Sequence, residues 1–267
     1  MTEAYSKDHI KYIKSIKRNK AIILITQIVV LLAFITTWEV LSVTRVIDDF
    51  LFSSPRRIVV TVGTLAKSGE LSMHVTTTLY ETIIGFITAT LIGTLIAVLF
   101  WWSDFIKRVF EPYIVVLNSL PKIALGPLII IWFGAGTGAI IFMTFLVTVI
   151  VTVINMYAGF SEVDKDKELL LKSMGARKVQ VFTRLVLPSS LPTFVSTLKI
   201  NVGMSWIGSI MGEYLVSKQG IGYLIVYGGQ VFKLDLVMTG TVILCFLAGL
   251  MYLLVAILER KITQKRK

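Results

Sequence analysis

Two lysines in this chain lie where a positive charge is costly to place. Lys122 and Lys199 each fall about halfway along an apolar stretch. A cation that faces lipid at that depth is unfavourable, so both side chains are expected to face a bundle interior or a cavity. There they would attract an anionic solute during its passage. The same helices offer further candidates for lining a pathway: Asn118, Ser119, Ser205 and Trp206.

The alternative interpretation of both lysines is structural. Each would then pair with an acid such as Glu81 or Glu213, or extend its ammonium group from a shifted segment to the membrane surface. The two acids lie nearer the ends of their segments, where water reaches, and are expected to be structural or gating groups. The sequence leaves both interpretations of the lysines open.

No cluster typical of catalysis or metal binding accompanies these residues. His9 and His74 are far apart and have no Cys or His neighbours at metal-ligand spacing, and Cys245 lies within an apolar run. No Gly-x-x-x-x-Gly-Lys-Ser/Thr phosphate-binding loop occurs, and the glycine-rich run at 134–138 is expected to be a tight turn. The sequence predicts a non-catalytic chain without a metal or cofactor of its own, which cannot bind ATP in the usual way.

The composition indicates that a membrane positions these residues. Of 267 residues, 55% are hydrophobic and 16% are charged, which leaves too little polar surface for a water-soluble globule. Each apolar run is near or above the roughly 20 helical residues that span about 30 Å of hydrocarbon. We therefore predict an all-α integral membrane protein with six spanning helices, at about 21–43, 79–102, 109–134, 139–158, 191–216 and 236–258.

The positions of the positive charges predict the orientation. Of 27 Lys and Arg residues, nineteen fall in the two tails and the 103–108 and 159–190 connections, against six on the opposite side. Because cytoplasmic loops carry the excess of Lys and Arg, both termini are predicted to be cytoplasmic. The positive charge is therefore interpreted as a topology signal, and no nucleic-acid binding is expected.

The segments outside the main apolar runs predict three further parts. The basic residues 1–20 are expected to form an interfacial helix, followed over 21–78 by a retained first span and an external connection. Within that connection, Ser53-Ser54-Pro55 is typical of a helix start and Gly69 of a helix end. Residues 259–267 form a basic tail.

Small residues and prolines predict how the helices pack. Gly and Ala at i+4 spacing let another helix approach closely. For the first of two such rows we expect the approaching helix to belong to the same chain, whereas the second row suits either packing within the chain or dimerisation. The two rows are Gly85, Ala89, Gly93 and Ala97, and then Gly208 and Gly212. Proline bends a helix, so the third span is predicted to be either kinked or broken along a substrate pathway. Its prolines are Pro112, Pro121 and Pro127.

The 159–190 connection predicts two short helices around Gly175. The first has acids in its opening turn, and the second is expected to end at Leu187-Pro188. Its apolar residues either fold back onto the bundle or are presented to a partner. They are Leu169, Leu170, Leu171, Met174, Val179 and Phe182.

The spacing in this connection resembles the EAA motif of ABC importer permeases. That motif reads Glu-Ala-Ala, three residues, Gly, nine residues, and Ile-x-Leu-Pro. Gly175, Leu187 and Pro188 match this motif, and Leu185 replaces its Ile. Its Glu-Ala-Ala positions hold Leu169, Leu170 and Leu171, and the nearest acid, Glu168, lies one residue before the position of the family's Glu. Met174 lies beside the motif's Gly and is grouped with these residues as a contact for an ATPase.

Other segments are similar to the nitrate/sulfonate/taurine-type permease subfamily and extend the resemblance from about 52 to 260. They include Phe52-Ser53-Ser54-Pro55, Trp132-Phe133-Gly134, Gly220-Ile221-Gly222 and Leu258-Glu259-Arg260. The resemblance implies a type I importer transmembrane domain over about 72–258, with 159–190 as its coupling loop, in a cell membrane.

The resemblance also implies partners. A second copy of the chain, as a homodimer, would complete the pathway for a small anionic solute. A dimer of cytoplasmic ABC ATPases would bind ATP and dock on the coupling loops, and an extracytoplasmic solute-binding protein would deliver the cargo. Two other functions stay open: an ion-coupled secondary transporter, although no internal repeat is evident, and a membrane-embedded enzyme.

Overall fold

The computed structural model describes residues 7–264 and places the side chains of 14–16 and 18–261. Every regular element in that range is helical. The α-helices are α1 (Lys7–Val43), α2 (Asp49–Phe52), α3 (Pro55–Ser68), α4 (Glu70–Trp102), α5 (Asp104–Ser119), α6 (Gly126–Phe133), α7 (Thr137–Ser161), α8 (Lys165–Ser173), α9 (Lys178–Val181), α10 (Leu187–Ser189), α11 (Leu191–Val216), α12 (Ile221–Gln230) and α13 (Leu234–Gln264). A 3-10 turn, Lys122–Leu125, precedes α6, and a π turn, Phe182–Val186, joins α9 to α10.

The long helices lie where the apolar runs predict them. Among the described residues, α1, α4, α7 and α13 are long and apolar enough to cross a membrane, and α5 with Lys122–Phe133 passes the same test as one span bent by 91°. The remaining predicted span, α11, has 26 residues and is about 39 Å long at 1.5 Å per residue. Helix α11 does not pass the hydropathy test that the other spans pass, because it carries an inward-facing row of polar side chains. The predicted multi-pass helical membrane fold is confirmed.

Helices α4, α7 and α11 pack together as the core of the bundle. A Cβ on Gly93 of α4 would lie 2.6 Å from Cβ of Thr152, and one on Gly85 would overlap Thr144. On α11, a Cβ on Gly208 would lie 2.6 Å from the Thr144 Cα. Both rows of small residues therefore let helices of this same chain approach α7, which confirms intrachain packing for the first row and favours it for the second.

The surface helix predicted between Ser54 and Gly69 is α3. The Ser54 side chain accepts a hydrogen bond from the Arg57 N–H at 3.3 Å, and Gly69 has a φ of 80°, which ends the helix in the left-handed region. Ile58 and Leu65 are buried, and α3 packs against α13. The same glycine begins α4, which therefore starts nine residues before the predicted span at 79.

The N-terminal region is one helix where the sequence suggested two. From Lys7 onwards the interfacial segment and the first span form the continuous helix α1, because no Gly or Pro interrupts them; residues 1–6 lie outside the described range. From Ala21 to Phe34 the apolar residues of α1 are exposed, and α1 contacts the rest of the chain at α3 and, through a hydrogen bond from Ser42 to Asp49, at α2. At the other end, α13 extends into the predicted tail as far as Gln264.

Candidate functional site

The 159–190 connection begins with helix α8, which has acids in its first turn and is terminated by Gly175 as predicted. The Asp164 carboxylate accepts a hydrogen bond from the Asp166 N–H at 3.0 Å, which holds the pKa of Asp164 below its ordinary value. After α8, Gly175 has a φ of 81°, and the N–H groups of Gly175 and Ala176 donate to carbonyls of the preceding turn at 3.0 Å. The helix–Gly–helix arrangement is thus present.

The second part of the connection differs from the prediction. The chain stays helical through α9, the π turn and α10 and leads directly into α11, so the predicted end at Leu187-Pro188 is wrong. Pro188 has no backbone N–H, so the helical hydrogen-bond pattern cannot continue through it unchanged. The wide π turn just before it accommodates the change of register.

The apolar residues of this connection divide into a buried and an exposed set, so folding back onto the bundle accounts for only part of them. The buried side packs on Met156 and Phe160 at the end of α7 and on Ala97 of α4; it comprises Leu171, Ala176, Val181, Phe182, Leu185 and Val186. The other side faces away from the bundle, with fractional exposures of 66% for Leu169, 60% for Leu170, 75% for Met174 and 55% for Val179. We call these four residues the exposed apolar patch.

A lysine that the sequence reasoning did not single out fixes α9 to the end of α4. The Lys178 Nζ donates to the carbonyl of Trp102 at 2.5 Å and lies 5.5 and 5.6 Å from the ring centroids of Trp101 and Trp102. A cation is favourable at a helix C-terminus and over an indole face. The exposed apolar patch is therefore carried by an element attached to both α4 and α7.

The other predicted coupling residues are less prominent. Glu168 forms an ion pair with Lys172 within α8, with 2.7 Å between Oε1 and Nζ. Its carboxylate therefore already has a partner inside the connection. Leu187 is 43% exposed, and Pro188 is half-buried.

The predicted break in the third span is at Pro121. Pro112 lies inside α5 without ending it, whereas the chain turns through 91° after Ser119. At the break, the Lys122 Nζ donates to the Asn118 carbonyl at 3.1 Å. Asn118 and Ser119 are exposed and Lys122 is half-buried, so these three predicted pathway residues share one open face.

The other three predicted pathway residues lie elsewhere. Lys199 pairs with Glu259 of α13 at 2.5 Å, which fits the structural alternative with a different acid from those considered. Ser205 and Trp206 are buried in the chain, Ser205 3.3 Å from the hydroxyl of Thr148 and Trp206 against α13. The structure therefore does not bring the six residues together.

The chain matches a protein family described as the binding-protein-dependent transport system inner membrane component over residues 89–264. It belongs to this family. It is 33% identical over 192 residues to the formylaminopyrimidine transport permease protein ThiX of Halalkalibacterium halodurans, covering 72% of this chain and 76% of the relative. It is 27% identical over 232 residues to a putative aliphatic sulfonates transport permease protein, SsuC, of Bacillus subtilis, covering 87% and 84%. The taurine transport system permease protein TauC of Escherichia coli is 24% identical over 238 residues, covering 87% and 86%.

Solved structures give the same fold for this permease. The MetNI methionine ABC transporter in an inward-facing conformation matches with a TM-score of 0.63 at 20% identity, covering 71% of this chain and 94% of that one. A bacterial ABC transporter involved in the import of alginate matches with a TM-score of 0.59 at 18% identity, covering 95% and 99%. The predicted type I importer fold is confirmed.

Inside the permease, a polar seam connects the three core helices. Asn201 of α11 donates to Thr90 of α4 at 3.0 Å and to Thr152 of α7 at 2.9 Å, and Thr82 donates to Ser209 at 2.7 Å. Sequence reasoning missed this seam, although its α11 members recur at i+4 spacing: Thr197, Asn201, Ser205, Ser209 and Glu213. Interhelical hydrogen bonds of this kind hold membrane helices in register.

Proposed function

We propose that this permease forms, with a second copy of itself, the pathway of an importer that a separate ABC ATPase drives. Both termini and the 159–190 connection then face the cytoplasm, and an extracytoplasmic solute-binding protein delivers the cargo. The chain binds no nucleotide itself, since its sequence contains no phosphate-binding loop.

The exposed apolar patch is the observation that carries the ATPase assignment. Its side chains lie on a connection between membrane helices, and the bundle leaves them exposed. Short helices that present apolar residues in this way fit a groove on a partner protein. Lys178 and the buried side of the same connection fix this connection to α4 and α7. A displacement of the patch by a partner would therefore be transmitted to these core helices.

The test is copurification of the permease with its ATPase after a substitution at Leu170. Leu170→Asp should abolish copurification and ATP-driven uptake, while Leu170→Met, which keeps an apolar side chain at the same place, should retain both. Labelling of a cysteine placed at Leu170 by a membrane-impermeant reagent should require opened cells. Undiminished ATPase capture by Leu170→Asp, or labelling of intact cells, contradicts the proposal.

A small anionic solute is the proposed cargo. Two relatives are named for sulfonate and taurine transport, and the open face at the break in the third span carries the ammonium group of Lys122. Lys199 has its charge neutralised by Glu259 and is the matched comparison. Lys122→Gln should reduce uptake of an anionic cargo more than Lys199→Gln does. Equal effects would remove Lys122 from the pathway.

A further inference from the structure

Two carboxyl groups are buried side by side at one end of the three-helix core. Glu81 of α4 and Glu213 of α11 are each 1% exposed. Neither oxygen of Glu81 accepts a hydrogen bond of normal geometry, and neither does Oε1 of Glu213. The groups that face Glu81 are the hydroxyl of Thr137 and the carboxyl of Glu213. Acceptors without a donor are rare in protein interiors, so this arrangement needs an explanation.

No cation among the described side chains neutralises the pair. Among residues 18–261, no ion pair includes either acid. The titratable groups around it, taken over each packed element, are Glu70 and His74 of α4, Tyr214 of α11, Lys218 of the following loop and Tyr223 of α12; α7 contributes none at this end. The His74 Nδ1 accepts a hydrogen bond from the Gly220 N–H at 3.0 Å, so this imidazole is neutral, and Lys218 is exposed.

The surroundings distinguish the two acids from one another. The Glu213 Oε2 accepts a hydrogen bond from the N–H of Gly222 at 2.5 Å, in the first turn of α12. A helix N-terminus favours a negative charge, so Glu213 is the better placed of the two acids to ionise. Gly220 lies so close that a Cβ there would overlap the Glu213 carboxyl. The donor that faces Glu81 is the Thr137 hydroxyl, which makes no hydrogen bond of normal geometry to it.

We propose that Glu81 and Glu213 form a buried proton-binding site whose single shared proton seats α12 on the core. Glu81 carries the proton and donates it in a hydrogen bond to the Glu213 carboxylate, which in turn caps α12. Two adjacent carboxylates without solvent or a cation cannot both ionise. Loss of the proton to alkaline solvent leaves two like charges in contact and releases α12.

The ligand is a proton and not a metal ion, because donors already point into the site. The Gly222 N–H donates to Oε2 of Glu213, so that oxygen is already engaged by a hydrogen-bond donor and is less available to a cation. The nearby Thr78 hydroxyl donates to the His74 carbonyl at 3.1 Å and accepts from the Ile221 N–H at 2.8 Å, so it has no free role as a ligand. Within the described part of the chain, no group of three His, Cys, Asp or Glu side chains is placed to hold a metal.

Infrared difference spectroscopy tests for the proton directly. The full-length permease, in the assembly with which it purifies and in lipid nanodiscs, should show the C=O stretch of a protonated carboxylic acid at neutral pH, and alkaline pH should remove it. The band should be missing in Glu81→Gln and present in Glu162→Gln, which changes an exposed glutamate. A wild-type spectrum without this band overturns the proposal, and this measurement does not depend on any variant folding.

Thermal unfolding of the same samples tests whether the shared proton stabilises the fold. The wild-type melting temperature should fall as pH rises from neutral into the alkaline range, whereas Glu81→Gln, which mimics the protonated acid, should keep its melting temperature over that interval. Glu213→Gln should melt lower than Glu81→Gln at neutral pH, because it removes the charge that caps α12. A parallel alkaline loss in wild type and Glu81→Gln, or stabilisation of the wild type by Na⁺, K⁺ or Ca²⁺ at constant ionic strength, contradicts the shared proton. Neither result bears on whether the permease couples to an ATPase.

Discussion

Two glycines on helix α11 offer a direct measurement of the packing that holds the core together. A Cβ on Gly208 would lie 2.6 Å from the Cα of Thr144, whereas one on Gly203 would meet no atom within 4 Å. Carbon atoms in contact sit about 3.5–4.0 Å apart, so Gly208→Ala forces α11 and α7 apart by about 1 Å. Because the obstacle is backbone, no side-chain rotation relieves the overlap.

The magnitude follows from comparing the two substitutions. Gly to Ala in a helix gains about 0.8–1.0 kcal/mol of helix propensity at either position, and overpacking costs about 1–3 kcal/mol. The propensity gain cancels in the difference, so Gly208→Ala should be less stable than Gly203→Ala by about 1–3 kcal/mol. Equilibrium unfolding in mixed detergent micelles measures both. If Gly208→Ala unfolds at the same detergent fraction as Gly203→Ala, the close approach of α11 to α7 is refuted.

Three further predictions concern the seam and the 159–190 connection. Asn201→Ala should lower the free energy of unfolding by about 1–3 kcal/mol, because each of its two interhelical hydrogen bonds contributes about 0.6–1.7 kcal/mol; Ser196→Ala, at an exposed serine of the same helix, should not. The Asp164 cap contributes its full stabilisation of α8 above the ordinary pKa of an aspartate, and this stabilisation is lost as pH falls through the lowered pKa of Asp164. Hydrogen-exchange protection of the α8 amides should therefore decline in acid in the wild type, but not in Asp164→Asn. Lys178→Met should expose the connection to limited proteolysis while the long helices resist; an unchanged digestion pattern would contradict its role in fixing α9 to Trp102.

The positions of the helices follow from local signals in the sequence. Apolar run length, the Ser54 cap and the glycines at 69 and 175 act within a few residues, and each operates in the structure as expected. The prediction that fails depends instead on contacts between distant parts of the chain. The sequence predicts that a helix ends at Pro188, whereas in the structure a π turn just before it lets the helical chain continue. The side chains of this turn pack against α7, and a local sequence pattern does not contain that contact.

The candidate site was predictable only in part. The helix–Gly–helix pattern gives the architecture of the connection, but which of its apolar residues are exposed depends on how it lies against α4 and α7. The partner of Lys199 is Glu259, sixty residues away on α13, and no spacing within one helix indicates it. The pairing of Glu81 with Glu213 was missed because like charges are not expected to be neighbours unless a proton lies between them.

Helix α1 is related to its surroundings differently from the core helices. Its apolar side chains are exposed from Ala21 to Phe34, and its contacts with α2 and α3 lie near its C-terminal end, so lipid is its main neighbour over that stretch. A fluid neighbour constrains hydropathy and length but not side-chain shape. Across related permeases, α1 should therefore tolerate exchange among Leu, Ile, Val and Phe and diverge quickly, whereas α4, α7 and α11, which interlock at single glycines and threonines, should change slowly and in concert.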